Sequence, residues 1–208
     1  MIAALSPLLT QERRARIEQV VATRTRAVVP VLERLVDPRN ISAVLRSAEA
    51  FGVQDVHLID PEDTFVAARS ITRGGQRWLD IMRHSNPRDC VNSLQERGYR
   101  VLVASVSGGL TPEALREIPK VAVVFGNEHA GASEAMHDLA DGTYTIPMRG
   151  FVESLNVSVA NAITLQSATE GRAGDLSERE QLLLRARFMM LSVPRPLEVV
   201  AEFERRNA

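Results

Sequence analysis

Short apolar runs alternate along the chain with stretches of helical period. VVPVLERLV (28–36), DVHLID (55–60), WLDIMRH (78–84), YRVLVASV (99–106), KVAVVFG (120–126) and TYTIP (143–147) read as strands, KVAVVFG being the most apolar. Pro30 points to an irregular start or an edge position for the first strand, because proline cannot donate to a ladder. The stretches between are bounded by start and stop residues. Asp37-Pro38 is a cap followed by a first-turn proline, and the helix it opens stops at Gly52. Asn86-Pro87 opens another, closed at Gly98, and one from about Ser133 ends before Gly142. A short helix is expected after the second strand, ahead of a bend at Gly74-Gly75. Residues 11–26 place Ile17, Val20 and Val21 at helical spacing, and two further helices are expected near 176–191 and 196–206, broken by Pro194 and Pro196.

SLNVSVANAITLQSATEG (154–171) carries two periods at once. Leu155, Val157 and Val159 alternate as in a strand, while the length, the alanines and the closing glycine favour a helix. Helix is the expectation, since a strand of that length is atypical. Strand and helix alternate, so the fold class is α/β with a mostly parallel sheet covered on both faces. One α/β domain is expected over 28–171, with a basic helical extension at 1–27 and a helical extension at 172–208.

Composition narrows the setting. At 208 residues with 45 % hydrophobic and 25 % charged positions, the chain can bury one full core and reads as a soluble globular protein. No stretch approaches the ~20 apolar residues of a membrane helix. The start, MIAALSPLLT, is too short and lacks the basic residues of a signal peptide. Cys90 is the sole cysteine, so neither an internal disulfide nor a cysteine-based metal cluster is expected, and it reads as a packed thiol on a helix. A reducing, cytoplasmic location is the expectation. His57, His84, His129 and His137 show no close ligand spacing, so no metal site is expected.

A net charge of −1 does not by itself announce a nucleic-acid partner, but its distribution is uneven. Residues 1–40 hold seven arginines against four acids, whereas 41–171 hold sixteen acids against eleven bases. Arg13, Arg14, Arg16, Arg24 and Arg26 form either a phosphate-tracking surface or a solvated helix face.

Four segments carry candidate chemistry. In NISAVLR (40–46), Asn40 sits at a helix start and Ser42 and Arg46 are four apart, on one helix face. An arginine there can fork onto phosphate, or simply pair with a neighbour such as Glu49. FGNEHAGAS (125–133) leads an apolar strand into a loop with two glycines and then a helix, where open α/β sheets bind ligands. It is neither a dinucleotide fingerprint nor a phosphate-binding loop of the nucleotidases, because the spacing differs and no Lys-Ser/Thr follows. IPMRGFVESLNVSVANA (146–162) joins a strand end, a glycine turn and a helix start rich in serine and asparagine. Such a start offers donors to a polar ligand, or ordinary capping by Ser154. The strand end Val103-Ala104-Ser105 is the fourth.

The order and spacing of NISAVLR, FGNEHAGAS and IPMRGFVESLNVSVANA resemble the three signature motifs of the SPOUT RNA methyltransferases, over about residues 28–170. The basic leading helix, the helical tail and RSITRGGQRWLDIMRH (69–84) resemble one branch, the tRNA (guanosine-2'-O)-methyltransferases of D-loop position 18, with Gly74-Gly75 and Arg77 as departures. The resemblance implies a trefoil knot at the C-terminal side of the sheet, S-adenosylmethionine as methyl donor, and a homodimer with active sites at the subunit interface. It implies cofactor contacts from Ala104, Gly126, Gly131, Ile146, Met148 and Leu155. It places the catalytic arginine at Arg46, with Asn40, Glu128, Ser154 and Asn156 organising the site. The implied reaction is methylation of a ribose 2'-hydroxyl in tRNA, with no metal required. Ribosomal RNA or the tRNA wobble nucleotide is the alternative substrate, and a non-catalytic RNA-binding protein of the same fold is the alternative role. A nucleotide-binding oxidoreductase is disfavoured by the missing fingerprint.

Overall fold

The computed structural model describes residues 1–59 and 74–207; the short helix expected after the second strand, and residues 69–73 of RSITRGGQRWLDIMRH, lie outside them. The described chain forms two compact units, Arg26–Arg172 and the pair of segments 1–25 and 173–208.

The larger unit is built on a six-stranded sheet. Its strands are β1 (Val28–Glu33), β2 (Asp55–Ile59), β3 (Asp80–His84), β4 (Arg100–Ala104), β5 (Val121–Phe125) and β6 (Gly142–Tyr144), in the order β3-β2-β1-β5-β4-β6. Every pairing is parallel. β1, β2 and β5 are buried along their whole length, which is why β5 reads as a continuous apolar run, whereas β2 buries the polar Asp55 and His57 as well. Pro30 is not at an edge, since β1 lies between β2 and β5. It pairs with Val123 of β5, and the ladder to β2 begins only at Val31, so its missing N–H falls where that ladder has not started.

Helices cover both faces. In chain order the α-helices are α1 (Ile2–Leu5), α2 (Gln11–Ala22), α3 (Pro38–Ala50), α4 (Pro87–Glu96), α5 (Glu134–Leu139), α6 (Val157–Thr169), α7 (Glu178–Met190) and α8 (Pro196–Asn207). Local chemistry sets their ends. Asp37 accepts from Arg39 N–H at 2.8 Å ahead of Pro38, Asn86 accepts from Asp89 N–H at 3.0 Å ahead of Pro87, and Ser133 accepts from Met136 N–H at 3.1 Å. One core face gathers Val44, Leu45 and Ala48 of α3 with Leu165 and Ala168 of α6. The opposite face gathers Cys90, Val91 and Leu94 of α4 with Met136 of α5.

A buried charge locks one end of the sheet. The Asp55 side chain, 1 % exposed, accepts from Arg26 and from Arg97 at 3.0 Å. Arg26 also bonds Asp80 at 2.7 Å, and its carbonyl accepts from the Tyr99 hydroxyl at 2.5 Å. A buried carboxylate is tolerated only with such partners. Asp55→Asn is expected to cost about 2–3 kcal/mol, because two arginines then face a neutral, wrongly polarised amide. Urea unfolding measures this, and a loss near zero would contradict it.

Residues 1–25 and 173–208, read from sequence as separate extensions, form a single helical unit. α2 packs on α7, and α1 packs on α7 and α8, with Ile17, Val21, Leu184, Phe188 and Met189 buried. Ser177 and Glu180 close a capping box at the start of α7. The basic start is thinner than its composition implies. Arg24 is 1 % exposed with its guanidinium over the Phe188 ring, and Arg26 belongs to the sheet's ion pairs. Arg13, Arg14 and Arg16 remain on the exposed face of α2. Among the described residues, no helix is long and apolar enough to cross a membrane.

Candidate active site

All strands run the same way, so the loops after β1, β4, β5 and β6 open at one end of the sheet. There they line a cleft of about 800 Å³, within the size range of small-ligand sites. Phe125 and Tyr144 meet edge-to-face below it, ring centroids 6.3 Å apart. Burial pushes the Tyr144 phenol up from its ordinary value, against the bond from Thr164, so it stays neutral.

The segments singled out in the sequence converge on this cleft. Ala104, Gly126, Gly131, Ile146, Met148 and Leu155 line it, as do Asn40, Glu128, Ser154 and Asn156. Arg46 does not. It is exposed on α3, roughly 9 Å further along the helix axis than Asn40, and makes no hydrogen bond or ion pair among the described residues. The pairing with Glu49 is therefore not formed. Ser42, expected to share its face, turns inward at 5 % exposure because it borders the buried stripe of Ile41, Leu45 and Ala48.

Glu128 holds the cleft's two walls together. Its carboxylate accepts from the backbone N–H groups of Val36 (3.1 Å) and Asp37 (3.2 Å) and from Asn40 Nδ2 (3.0 Å). Asn40 Oδ1 in turn accepts from Asn156 Nδ2 at 3.2 Å, so one chain of polar contacts links all three motifs. Burial opposes ionisation of Glu128, but the bonds from Asn40, Val36 and Asp37 outweigh it and hold the carboxyl below its ordinary value. Ionised Glu128 thus stabilises this arrangement at neutral pH. That contribution is present above the ordinary value of 4.5 and is lost as the pH falls through the depressed one. The stability gap between wild type and Glu128→Gln should accordingly shrink between pH 7 and pH 3; an unchanged gap in urea melts would refute the assignment.

Sequence reasoning missed several supports. Asn127 Nδ2 donates to the Arg34 carbonyl at 2.9 Å, and its Oδ1 accepts from the N–H groups of His129 and Ala130. Arg34 sits at φ 55, in the left-handed region, with its N–H bonded to the Ile59 carbonyl. Buried Glu33 accepts from Ser133 N–H (2.9 Å) and Oγ (2.5 Å) and so aims the start of α5. The bonds from Asn127 to Arg34 and from Ser133 to Glu33 have no local signature, because each partner lies far away in sequence. Asn156 rather than Ser154 caps α6, accepting from Ser158 N–H at 2.8 Å, which leaves Ser154 to the cleft lining. The histidines also need correction: His57 and His84, on adjacent strands, meet Cys90 of α4 outside the cleft, a cluster that spacing did not reveal.

Known proteins resemble this chain in sequence and in fold. The SpoU rRNA Methylase family matches residues 27–166. The tRNA (guanosine(18)-2'-O)-methyltransferase of Borreliella burgdorferi is 34 % identical over 167 residues, covering 80 % of this chain and 77 % of that one. Among solved structures, the A. aeolicus TrmH/SpoU tRNA modifying enzyme superposes with a TM-score of 0.77 at 26 % identity, covering 89 % of this chain and 98 % of the other. The SpoU methyltransferase AviRb from Streptomyces viridochromogenes, in complex with the cofactor AdoMet, gives 0.61 at 26 % identity, covering 74 % and 62 %. With two thirds of its length matched and its three motifs gathered on one cleft, this chain belongs to the SpoU rRNA methylase family.

Proposed function

We propose that this protein transfers a methyl group from S-adenosylmethionine to the ribose 2'-hydroxyl of a guanosine in the tRNA D-loop, at position 18. The observation that carries the reading is the convergence of Ala104, Gly126, Gly131, Ile146, Met148 and Leu155 on one cleft at the strand ends. The tRNA target rests on the Borreliella relative, named for guanosine 18, and on the A. aeolicus tRNA modifying enzyme, nearly all of whose length this chain covers.

The cleft fits the cofactor chemically. Phe125, Ile146, Leu155 and Val157 offer apolar surface to a flat base, and Gly126 and Gly131 let backbone come close to it. When bound, the sulfonium supplies an activated methyl and leaves as a neutral thioether, so the transfer requires no metal. The residues then have to position the reactants, which is where most of such a rate arises. Asn40, Asn156 and Ser154 present polar groups at the cleft wall where a ribose would enter. The ribose hydroxyl held there would take the methyl from sulfur, and its proton would pass to solvent. A guanidinium offers a fork of donors and no acceptor, so the role we assign to Arg46 is to clamp the RNA phosphate and stabilise the developing alkoxide.

Arg46 stands outside its own chain's cleft, which supports a homodimer in which it serves the site of a second copy. Val159 and Ile163, four apart on α6, and Phe151 and Val152 in the preceding loop are exposed and apolar, as a subunit interface needs. Ile163→Glu is expected to weaken association at least about tenfold, by burying a carboxylate. Light scattering should find monomers whose transfer activity has fallen in step; a fully active monomer would refute the shared site.

The knot follows from the same reading. After β6, at the sheet edge, the chain returns through 145–156 to α6, which packs against α3 and the 3-10 turn Glu113–Glu117. That return course agrees with a trefoil. A cytoplasmic location goes with a tRNA substrate. Methyl transfer from radiolabelled S-adenosylmethionine to unmodified tRNA, with mapping of the product, tests the function. One 2'-O-methylguanosine in the D-loop is expected. Label confined to the anticodon loop or to ribosomal RNA would overturn the substrate, and no transfer to any RNA would overturn the activity.

A further inference from the structure

The sheet face under α4 carries a group that methyl transfer does not use. His57 stands in mid β2, His84 ends β3, and Cys90 lies in the early part of α4. The register pairs His57 with Met82 and Ile59 with His84, so both imidazoles point to the same face of adjacent strands. His57 Nδ1 and His84 Nε2 are 2.9 Å apart, Cys90 Sγ is 3.9 Å from the same Nδ1, and all three atoms lie within 4.8 Å of one another. We propose that His57, His84 and Cys90 form a binding site for one thiophilic divalent cation of the zinc class, separate from the methyl-transfer cleft.

The donor set is two imidazole nitrogens and one sulfur, which suits zinc. Tetrahedral zinc holds such atoms about 3.3–3.8 Å apart, from bond lengths near 2.0–2.3 Å. The contacts of 2.9 and 3.9 Å bracket that range, and the third pair, His84 to Cys90, lies within 4.8 Å, so a rotation of the half-buried His84 ring that closes it by up to about 1 Å completes three ligands. His57 and Cys90 have no exposure while His84 is half-buried, so the fourth position opens on the His84 side, where water can enter.

The surroundings favour the two imidazole ligands, while burial of the thiol opposes the third. Burial holds His57 down at about 3, with the charges of His84 and Arg97 adding to it. It also lowers His84, against Asp89. Both rings therefore stay neutral, as ligands must be. Burial, with Glu33, pushes the Cys90 thiol up to about 12. Its proton leaves to solvent as the sulfur–metal bond forms, and no redox change occurs. The Glu33 and Asp89 carboxylates face the group and attract a cation, with Arg97 the opposing charge. A site that needed only packing would be apolar. Instead, one hydrogen bond between two stacked rings (4.9 Å, 15°) leaves His57 Nε2 buried and unpartnered. With Nδ1 given to a metal, Nε2 carries the ring proton, as it does when Nδ1 accepts from His84.

The test is titration of the chelator-stripped full chain with Co²⁺ and then Zn²⁺. Since Cys90 is the sole cysteine, a thiolate-to-cobalt charge-transfer band in the near ultraviolet reports this site alone. One equivalent of Co²⁺ should bring up the band, and Zn²⁺ should bleach it. Cys90→Ser and His84→Gln should lose it while keeping the wild-type circular dichroism spectrum. His84→Gln carries the ligand assignment, because its half-buried ring can be replaced without opening the core. Zn²⁺ should also raise the melting temperature of wild type but not of His84→Gln. A folded wild type with no band at saturating Co²⁺ would overturn the site, as would a full band in folded His84→Gln.

Discussion

Arg46→Lys is expected to lower methyl transfer about 10²–10³-fold while leaving folding and S-adenosylhomocysteine binding as in wild type. The exposed side chain makes no hydrogen bond or ion pair among the described residues, so the fold does not depend on it. Nor does it touch the cleft of its own chain, so cofactor binding should not change. What lysine lacks is the planar fork that can hold a phosphate and a developing alkoxide together. The loss should therefore fall on the single-turnover rate with tRNA. Near-normal turnover would count against the clamp assignment. Mixing subunits separates the proposed dimer from a site within one chain. Arg46→Ala and Asn156→Ala protomers, each inactive alone, should recover transfer when combined, because a mixed dimer then has one cleft with every group. No recovery, with mixed dimers demonstrated, would place Arg46 and its cleft in one chain.

Gly126→Ala is expected to weaken cofactor binding about a hundredfold, because misplacement near 1 Å is enough for losses of that order. A Cβ at Gly126 would lie 2.0 Å from Ala132 N and 2.1 Å from the Gly131 carbonyl carbon. These are backbone atoms of the same tight loop, closed by paired 2.9 Å bonds between Asn127 and Gly131. They can move only by opening the loop that carries Glu128 and lines the cleft. Gly98→Ala is the matched control. It sits at φ +82 with nothing near a new Cβ, and it lies away from the cleft. It should cost about 1–2 kcal/mol of stability with no change in affinity. Calorimetry with S-adenosylhomocysteine reads both. Equal affinities for the two variants would show that the loop's closure does not matter.

Local chemistry made much of this fold legible before any coordinates. Asp37-Pro38 and Asn86-Pro87 start helices because a side-chain oxygen can take a free N–H and proline tolerates the first turn. KVAVVFG is a strand because a parallel strand buried on both faces needs apolar residues in sequence. The two-period stretch 154–171 was harder. Its alternation at Leu155, Val157 and Val159 is real, but α6 begins only at Val157, so the first of those residues lies in the cleft lining instead.

Sequence by itself therefore determined the class of fold and the order of its elements, since these depend on contacts within a few residues or on apolar period, while the three motifs stood out through their resemblance to a known family. Tertiary structure alone decided what depends on distant partners. It put Pro30 inside the sheet, just before the ladder to β2 begins at Val31. It buried Arg24 and tied Arg26 to Asp80, taking two charges from an apparently basic start. It set Glu128 against Asn40, left Arg46 facing outward, and stacked His57 on His84 beside Cys90. The positions of Pro30, Arg26 and the histidine pair follow from strand order and register, which bring together side chains that no spacing along the chain connects.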